Sequence, residues 1–111
     1  MKQGEIWLVD FPEGEGHEFY KERPALIIES DKQIVKSSIV TIMPITSNIN
    51  NQVEYDLFLI RNNYNNLNRD SVLKCYDITG FDKTRFLKKI GKVKVDILEE
   101  VKDYLRLHFD L

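Results

Sequence analysis

Hydrophobic periodicity changes once along this chain, and the change comes late. Ile97, Leu98, Val101, Tyr104, Leu105 and His108 or Phe109 recur on one face at helical spacing. Asp96, with Glu99 three residues on, forms a candidate capping box for that helix. Upstream, the apolar residues come in short runs rich in β-branched side chains, cut off by Gly, Pro or Asn. That is the pattern of strands and turns. No βαβ alternation is present, so the pattern predicts a mainly β domain: a small antiparallel barrel carrying one C-terminal helix.

Taken in order, 5–11 alternates Ile6 and Leu8 with Trp7 and Val9, a strand with both faces covered. Pro12, Gly14 and Gly16 break it, and a polar loop runs to Glu22. A second strand is expected at 25–29, a turn at 31–37, and a third strand at 39–43 ended by Pro44. Residues 53–60 read as a fourth strand with exposed carboxylates near its start, and the asparagine-rich 62–68 as a loop. A fifth strand is expected at 71–79, closed by Gly80, then a short helical turn at 83–87 and a last strand at 90–93 around Gly91. With no internal repeat and no linker, residues 1–111 read as a single domain.

A chain of 111 residues can bury a core without disulfides or metals. The single cysteine, Cys75, builds neither a disulfide framework nor a metal site, which makes a reducing cytoplasm the default compartment. No signal-peptide pattern opens the chain and no apolar run approaches the ~20 residues of a membrane span, so neither export nor membrane insertion is expected. The net charge of −2 does not mark a nucleic-acid binder, but its distribution is uneven. Lys83, Arg85, Lys88, Lys89, Lys92 and Lys94 fall within twelve residues that hold no acid. Such a segment is either a site for a polyanion or an acidic partner, or a solvated face.

The stretch 16–28 carries the strongest chemical signal. A polar loop with the titratable His17 runs into Arg23, and Pro24 holds the entry to the apolar run Ala-Leu-Ile-Ile. Proline biases the residue before it towards extended backbone, so Arg23 becomes a fixed cation at the lip of a buried strand. Pro44-Ile45-Thr46-Ser47 ends a second apolar strand in a similar way.

These blocks together resemble the Kid/PemK/MazF family, the ribonuclease half of bacterial toxin–antitoxin pairs. The resemblance rests on Gly-Glu-Ile-Trp-Leu-Val at 4–9, Gly-His-Glu at 16–18, Arg-Pro-Ala-Leu-Ile-Ile at 23–28 and Pro-Ile-Thr-Ser at 44–47. Arg-Asp-Ser-Val at 69–72, Cys75, and Asp82 with its basic segment continue it in the family's order. It implies an SH3-like barrel, a homodimer, a cognate antitoxin as partner, and cleavage of single-stranded RNA without metal or other cofactor.

Such cleavage uses the neighbouring 2′-hydroxyl as nucleophile and needs a base, an acid and donors for charge growing on phosphoryl oxygens. Arg23 suits the last role, since its fork donates two bonds to a phosphate and stays charged; the resemblance makes it the catalytic arginine. Thr46 and Ser47 supply neutral hydroxyl donors, or else cap a turn. His17, with an unperturbed pKa of ~6.5, is the candidate base, the alternative being a solvated loop histidine. Glu18 orients His17 or Arg23, or is a surface acid.

Two positions depart from the family's pattern. After Gly-His-Glu the chain has Phe19-Tyr20-Lys21 in place of Gln and glycines, a loop whose aromatics can stack on RNA bases. On the fifth strand, Lys74-Cys75-Tyr76 stands where some members carry Arg-Cys-Asp. Alternation along a continuous strand would put Lys74 and Tyr76 on one face, both towards the substrate, with Asp77 on the other. Two further classes share the fold: a non-catalytic SH3-like module binding RNA or protein, and a gyrase-poisoning toxin of the CcdB type. The latter depends on an apolar, tryptophan-bearing C-terminal tip, unlike Phe109-Asp110-Leu111.

Overall fold

The apolar runs pair into one antiparallel system organised by the longest strand. The computed structural model describes residues 1–12 and 21–111. Its elements are β1 (Glu5–Phe11), β2 (Lys21–Ile27), α1 (Asp31–Lys36), β3 (Ile39–Thr46), β4 (Leu57–Leu59), β5 (Ser71–Leu73), β6 (Thr79–Asp82), β7 (Phe86–Lys92) and α2 (Val95–Phe109). The strands run β4-β5-β3-β2-β1-β7, with β6 also on β3. No ladder joins β4 to β7 among the described residues, so this barrel-like sheet does not close.

β3 runs through Pro44 instead of ending there. One edge pairs with β2, Ala25 opposite Pro44. The other pairs first with β6, up to Ile42 opposite Thr79, and then with β5 from Ile45 opposite Leu73. The Pro44 carbonyl accepts from Lys74 N–H at 2.9 Å on the β5 side. In a strand a residue's N–H and C=O point to the same edge, so the donor that proline lacks falls at the seam where β6 gives way to β5. A central strand tolerates proline at such a break. Pro24 follows similar logic: pairing of β2 with β3 begins only at Ala25, leaving 21–24 with β1 as partner.

Side chains alternate between two apolar clusters. Ile6, Leu26, Met43, Ile45, Leu73 and Val101 build the first, and Val9, Ala25, Ile27, Ile34, Val40, Ile42 and Phe86 the second. The expectation of covered faces on β1 holds: Ile6 enters one cluster, Val9 and Phe11 the other. α2 lays Ile97, Leu98, Tyr104 and Leu105 against the first cluster, as its spacing predicts. The capping box is not formed: the helix starts at Val95, its cap Lys94 makes no side-chain bond, and Asp96 falls in the first turn, where its charge suits the helix dipole. No helix among the described residues is long and apolar enough to cross a membrane.

Several boundaries differ from the sequence expectation. Residues 31–36 form a helix, capped by Ser30 Oγ accepting from Gln33 N–H at 3.2 Å and burying Ile34. It is too short to display a period. The fourth strand shrinks to Leu57–Leu59, because Tyr55 takes φ 74° and Asp56 turns inward. The fifth divides into β5 and β6 around a turn closed by Asp77 N–H to the Lys74 carbonyl at 3.1 Å, and Gly80 lies inside β6. The short turn after Asp82 is present at Lys83–Arg85, and the last strand is longer than 90–93.

β7 pairs with β1 through two irregularities, between Ile6 and Trp7 and between Leu8 and Val9. Opposite them β7 carries the extra residues Ile90 and Leu87, and such bulges bend a sheet and re-aim side chains. The 62–68 loop docks on this bent strand. Asn62 and Asn65 exchange bonds, each Oδ1 accepting from the other's N–H, at 2.8 and 3.1 Å. Leu67 is thereby sunk into the core. Lys92 N–H donates to the Tyr64 carbonyl at 3.1 Å, so the two backbones touch at Gly91. A Cβ there would lie 2.4 Å from the Asn65 carbonyl oxygen. Gly91→Ala is expected to destabilise the protein by about 1–3 kcal/mol, the usual range for overpacking, read as a lowered urea midpoint; an unchanged midpoint would show that the loop lifts freely.

Candidate active site

The open end of β2, the end of β3, the docked loop and the bulged segment of β7 converge on one cleft of about 570 Å³. Leu8, Glu22, Arg23 and Pro24 form one wall, Ile45, Ser47 and Ser71 the floor end, and Asn66 to Arg69 with Lys88, Lys89 and Ile90 the opposite side. Arg23, Arg69, Lys88 and Lys89 outnumber the acid Glu22 in this lining. Arg23 is half-buried, opposite Val9 of β1, at the stretch of β2 where pairing with β3 has not begun. Strand register, rather than a loop, therefore holds its backbone.

Of the hydroxyls, Ser47 lines the cleft and is exposed, whereas Thr46 is buried, and its Oγ1 accepts from Asn48 N–H at 3.1 Å. Thr46 thus holds the turn that presents Ser47, while its own O–H remains a donor. Lys21 is exposed at the start of β2 with φ 67°. His17, Glu18, Phe19 and Tyr20 lie outside the described residues.

Lys74 and Tyr76 are not brought together, and neither lines the cleft. The shared face expected of them requires a continuous strand, but β5 ends at Leu73 and the chain turns. Lys74 is buried, its Nζ 2.5 Å from Asp56 Oδ2, with the two side chains 10% and 1% exposed. Val53 N–H also donates to that oxygen at 3.0 Å. Tyr76 is exposed and packs edge-on against Tyr55, Tyr104 and His108 on the α2 side. Cys75 between them is buried; burial, reinforced by the Asp56 charge, pushes its thiol up to about 11, so it stays protonated. Among the described residues no group of three or more His, Cys, Asp or Glu could hold a metal ion.

The basic segment disperses once folded. Lys83 donates to the Ile34 carbonyl, Arg85 to the Asp10 carbonyl at 3.0 Å, and Lys92 and Lys94 lie over the Tyr64 ring. Lys89 sits 3.1 Å from Glu5 Oε2. Burial pushes the Glu5 carboxyl up, but the donors Trp7 Nε1–H, Lys89 and Lys2 N–H outweigh it and hold the group below the usual carboxylate range. Sequence reasoning did not single out Arg69, Asn66 or Asn68 as site residues, although the block at 69–72 and the run of asparagines were visible, and it named Lys88 only as one of six cations in the basic segment.

A bent antiparallel sheet with one terminal helix and a cation-lined cleft at an open strand edge defines a small, barrel-like β protein with a cleft suited to a polyanion. The chain belongs to the family of PemK-like, MazF-like toxins of type II toxin–antitoxin systems, whose family model matches residues 2–109. It is similar to the protein named Endoribonuclease MazF9 of Mycobacterium tuberculosis, 29% identical over 116 residues that cover 100% of this chain and 98% of that one. Among solved structures it resembles MazF from Deinococcus radiodurans, with TM-score 0.83, 20% identity, and coverage of 100% of this chain and 97% of that one. It also resembles an endoribonuclease in complex with its cognate antitoxin from a mycobacterial species, with TM-score 0.78, 14% identity, and coverage of 100% and 96%. At these identities the solved structures speak for the fold.

Proposed function

We propose that residues 1–111 act as a single toxin domain, an endoribonuclease that cuts single-stranded RNA, mRNA included, and is neutralised by a cognate antitoxin. The observation that carries this reading is the meeting of Arg23 and Ser47 in one basic cleft, in a chain of this family. The same reading makes the protein cytoplasmic, where its substrate is, and a two-fold homodimer.

Cleavage proceeds by attack of the RNA 2′-hydroxyl oxygen on the adjacent phosphorus. The bond from 2′-oxygen to phosphorus forms, the bond to the 5′-oxygen breaks, and the products are a cyclic phosphate and a 5′-hydroxyl. A base removes the 2′-hydroxyl proton and an acid supplies one to the departing 5′-oxygen. In this assignment Arg23 donates to the phosphoryl oxygens, Thr46 and Ser47 add neutral donors, and His17 is the base. Glu18, Phe19, Tyr20 and Lys21 are assigned to substrate binding. Lys74, its charge paired with Asp56, and Tyr76, which like Lys74 lies outside the cleft lining, act on substrate only indirectly in this assignment.

Incubating the purified protein with a long RNA tests the reading. Fragments ending in cyclic phosphate are expected, equally with and without EDTA; RNA that is bound but left intact would sink it. The rate should rise with pH through a group titrating roughly between 6 and 7.5, as a histidine base requires. His17→Gln should slow cleavage far more than Asp77→Asn. The reverse ranking would move the base to the turn after β5.

A further inference from the structure

Arg69 and Lys88 line the Arg23 cleft, yet neither side chain has an ion-pair or hydrogen-bond partner among the described residues. Lys89, their neighbour, is held by Glu5. Both are exposed, and both are fixed in position by backbone rather than by charge. Lys88 lies opposite Leu8 of β1, which lies opposite Pro24 of β2, so the lysine is two strand spacings, about 10 Å, across the sheet from the Arg23–Pro24 step. Arg69 ends the docked loop, which Asn66 Nδ2 ties to the Ile90 carbonyl at 3.0 Å, beside the same stretch of β7. The loop and the bulged strand thus carry two cations, unpaired among the described residues, into the lining of the cleft that Arg23 also lines.

We propose that Arg69 and Lys88 form a second phosphate subsite, which holds a backbone phosphate of the RNA strand adjoining the one at Arg23. This rests on the nuclease reading above. The two residues are positioning residues: they set the strand's path past Arg23 without touching the reacting atoms. The lining favours a polynucleotide over an acidic peptide. Among the described residues the lining also holds Ser47, Asn66, Asn68 and Ser71, small amide and hydroxyl groups suited to sugar and base edges, and no aromatic side chain that would anchor a peptide.

The test is Arg69→Ala/Lys88→Ala, with Lys32→Ala/Lys36→Ala on α1, outside the cleft, as a control of equal charge change. Binding is followed with a mixed-sequence single-stranded 2′-O-methyl RNA, which cannot be cut because the nucleophile is blocked. Loss of the one phosphate they neutralise should flatten the slope of log affinity against log salt by about 0.7, the value per phosphate on a single strand. On cleavable RNA, KM should rise about tenfold while kcat changes little, because charge-assisted contacts to flanking phosphate bind ground and transition states alike. A double variant with the wild-type slope and KM, or one that keeps its RNA affinity and loses only affinity for poly-glutamate, would overturn the subsite. A wild-type protein that never cuts RNA, but whose binding slope still falls in the double variant, would support the subsite and overturn the nuclease reading.

Discussion

Arg23→Ala is expected to lower the rate of RNA cleavage by about 10²–10³-fold, the usual loss when a donor to a developing oxyanion is removed. The substitution should leave the fold standing. Arg23 is half-buried at the open end of β2, belongs to neither apolar cluster, and leaves behind a methyl group with good strand geometry. The measurement is single-turnover cleavage at saturating protein, paired with a thermal melt. Saturating conditions separate a lost transition-state contact from a lost binding contact, since only the first persists when every RNA is bound. Full activity in the alanine variant would remove Arg23 from the chemistry. A collapsed melt would instead reveal a structural role that its position does not suggest.

Lys74→Ala is expected to behave in the opposite way, with a loss of stability of about 3–5 kcal/mol. The Asp56 side chain is 1% exposed and its partner 10%, so removing the ammonium leaves a carboxylate with little water to replace it. One oxygen, Oδ1, has no hydrogen-bond partner among the described residues, which leaves the group still more dependent on Lys74. Against a typical total stability of about 5–15 kcal/mol this is a large fraction. Replacing both partners, Lys74→Met with Asp56→Leu, should recover much of the loss, because a buried apolar pair avoids the desolvation of two charges. Urea unfolding of the wild type, Lys74→Ala and the double variant reads both effects. If Lys74→Ala melts like the wild type but cuts RNA poorly, the ammonium reaches substrate after all, as its place in the family pattern implies.

How the site could be read from the chain depended on which residues are held locally. Arg23 was legible because Pro24 constrains it and an apolar run follows; both are neighbours in sequence, and the folded strand keeps that arrangement. Ser47 was legible at the end of an apolar strand, although the strand passes through Pro44 to reach it. Lys74 and Tyr76 could not be placed by counting. Alternation assumes a continuous strand, and the turn after Leu73 sends one inward to Asp56 and the other out towards α2. Arg69 and Lys88 are nineteen positions apart and meet only because the asparagine loop lies across Gly91.

The sequence by itself therefore determined the class of fold, through short β-branched runs and one late helical period, and it determined the family through the order of its blocks. Both are consequences of local chemistry repeated along the chain, which neither a bulge nor a turn can erase. Tertiary structure alone decided the partners of the cations. Of six clustered in 83–94, five lie against a carbonyl, a carboxylate or an aromatic ring, and Lys88 lines the cleft with no such partner among the described residues. Charge pairing acts through space over a few ångströms. It depends on register, bulges and loop docking, all of which link residues far apart in the chain and leave no mark in its local pattern.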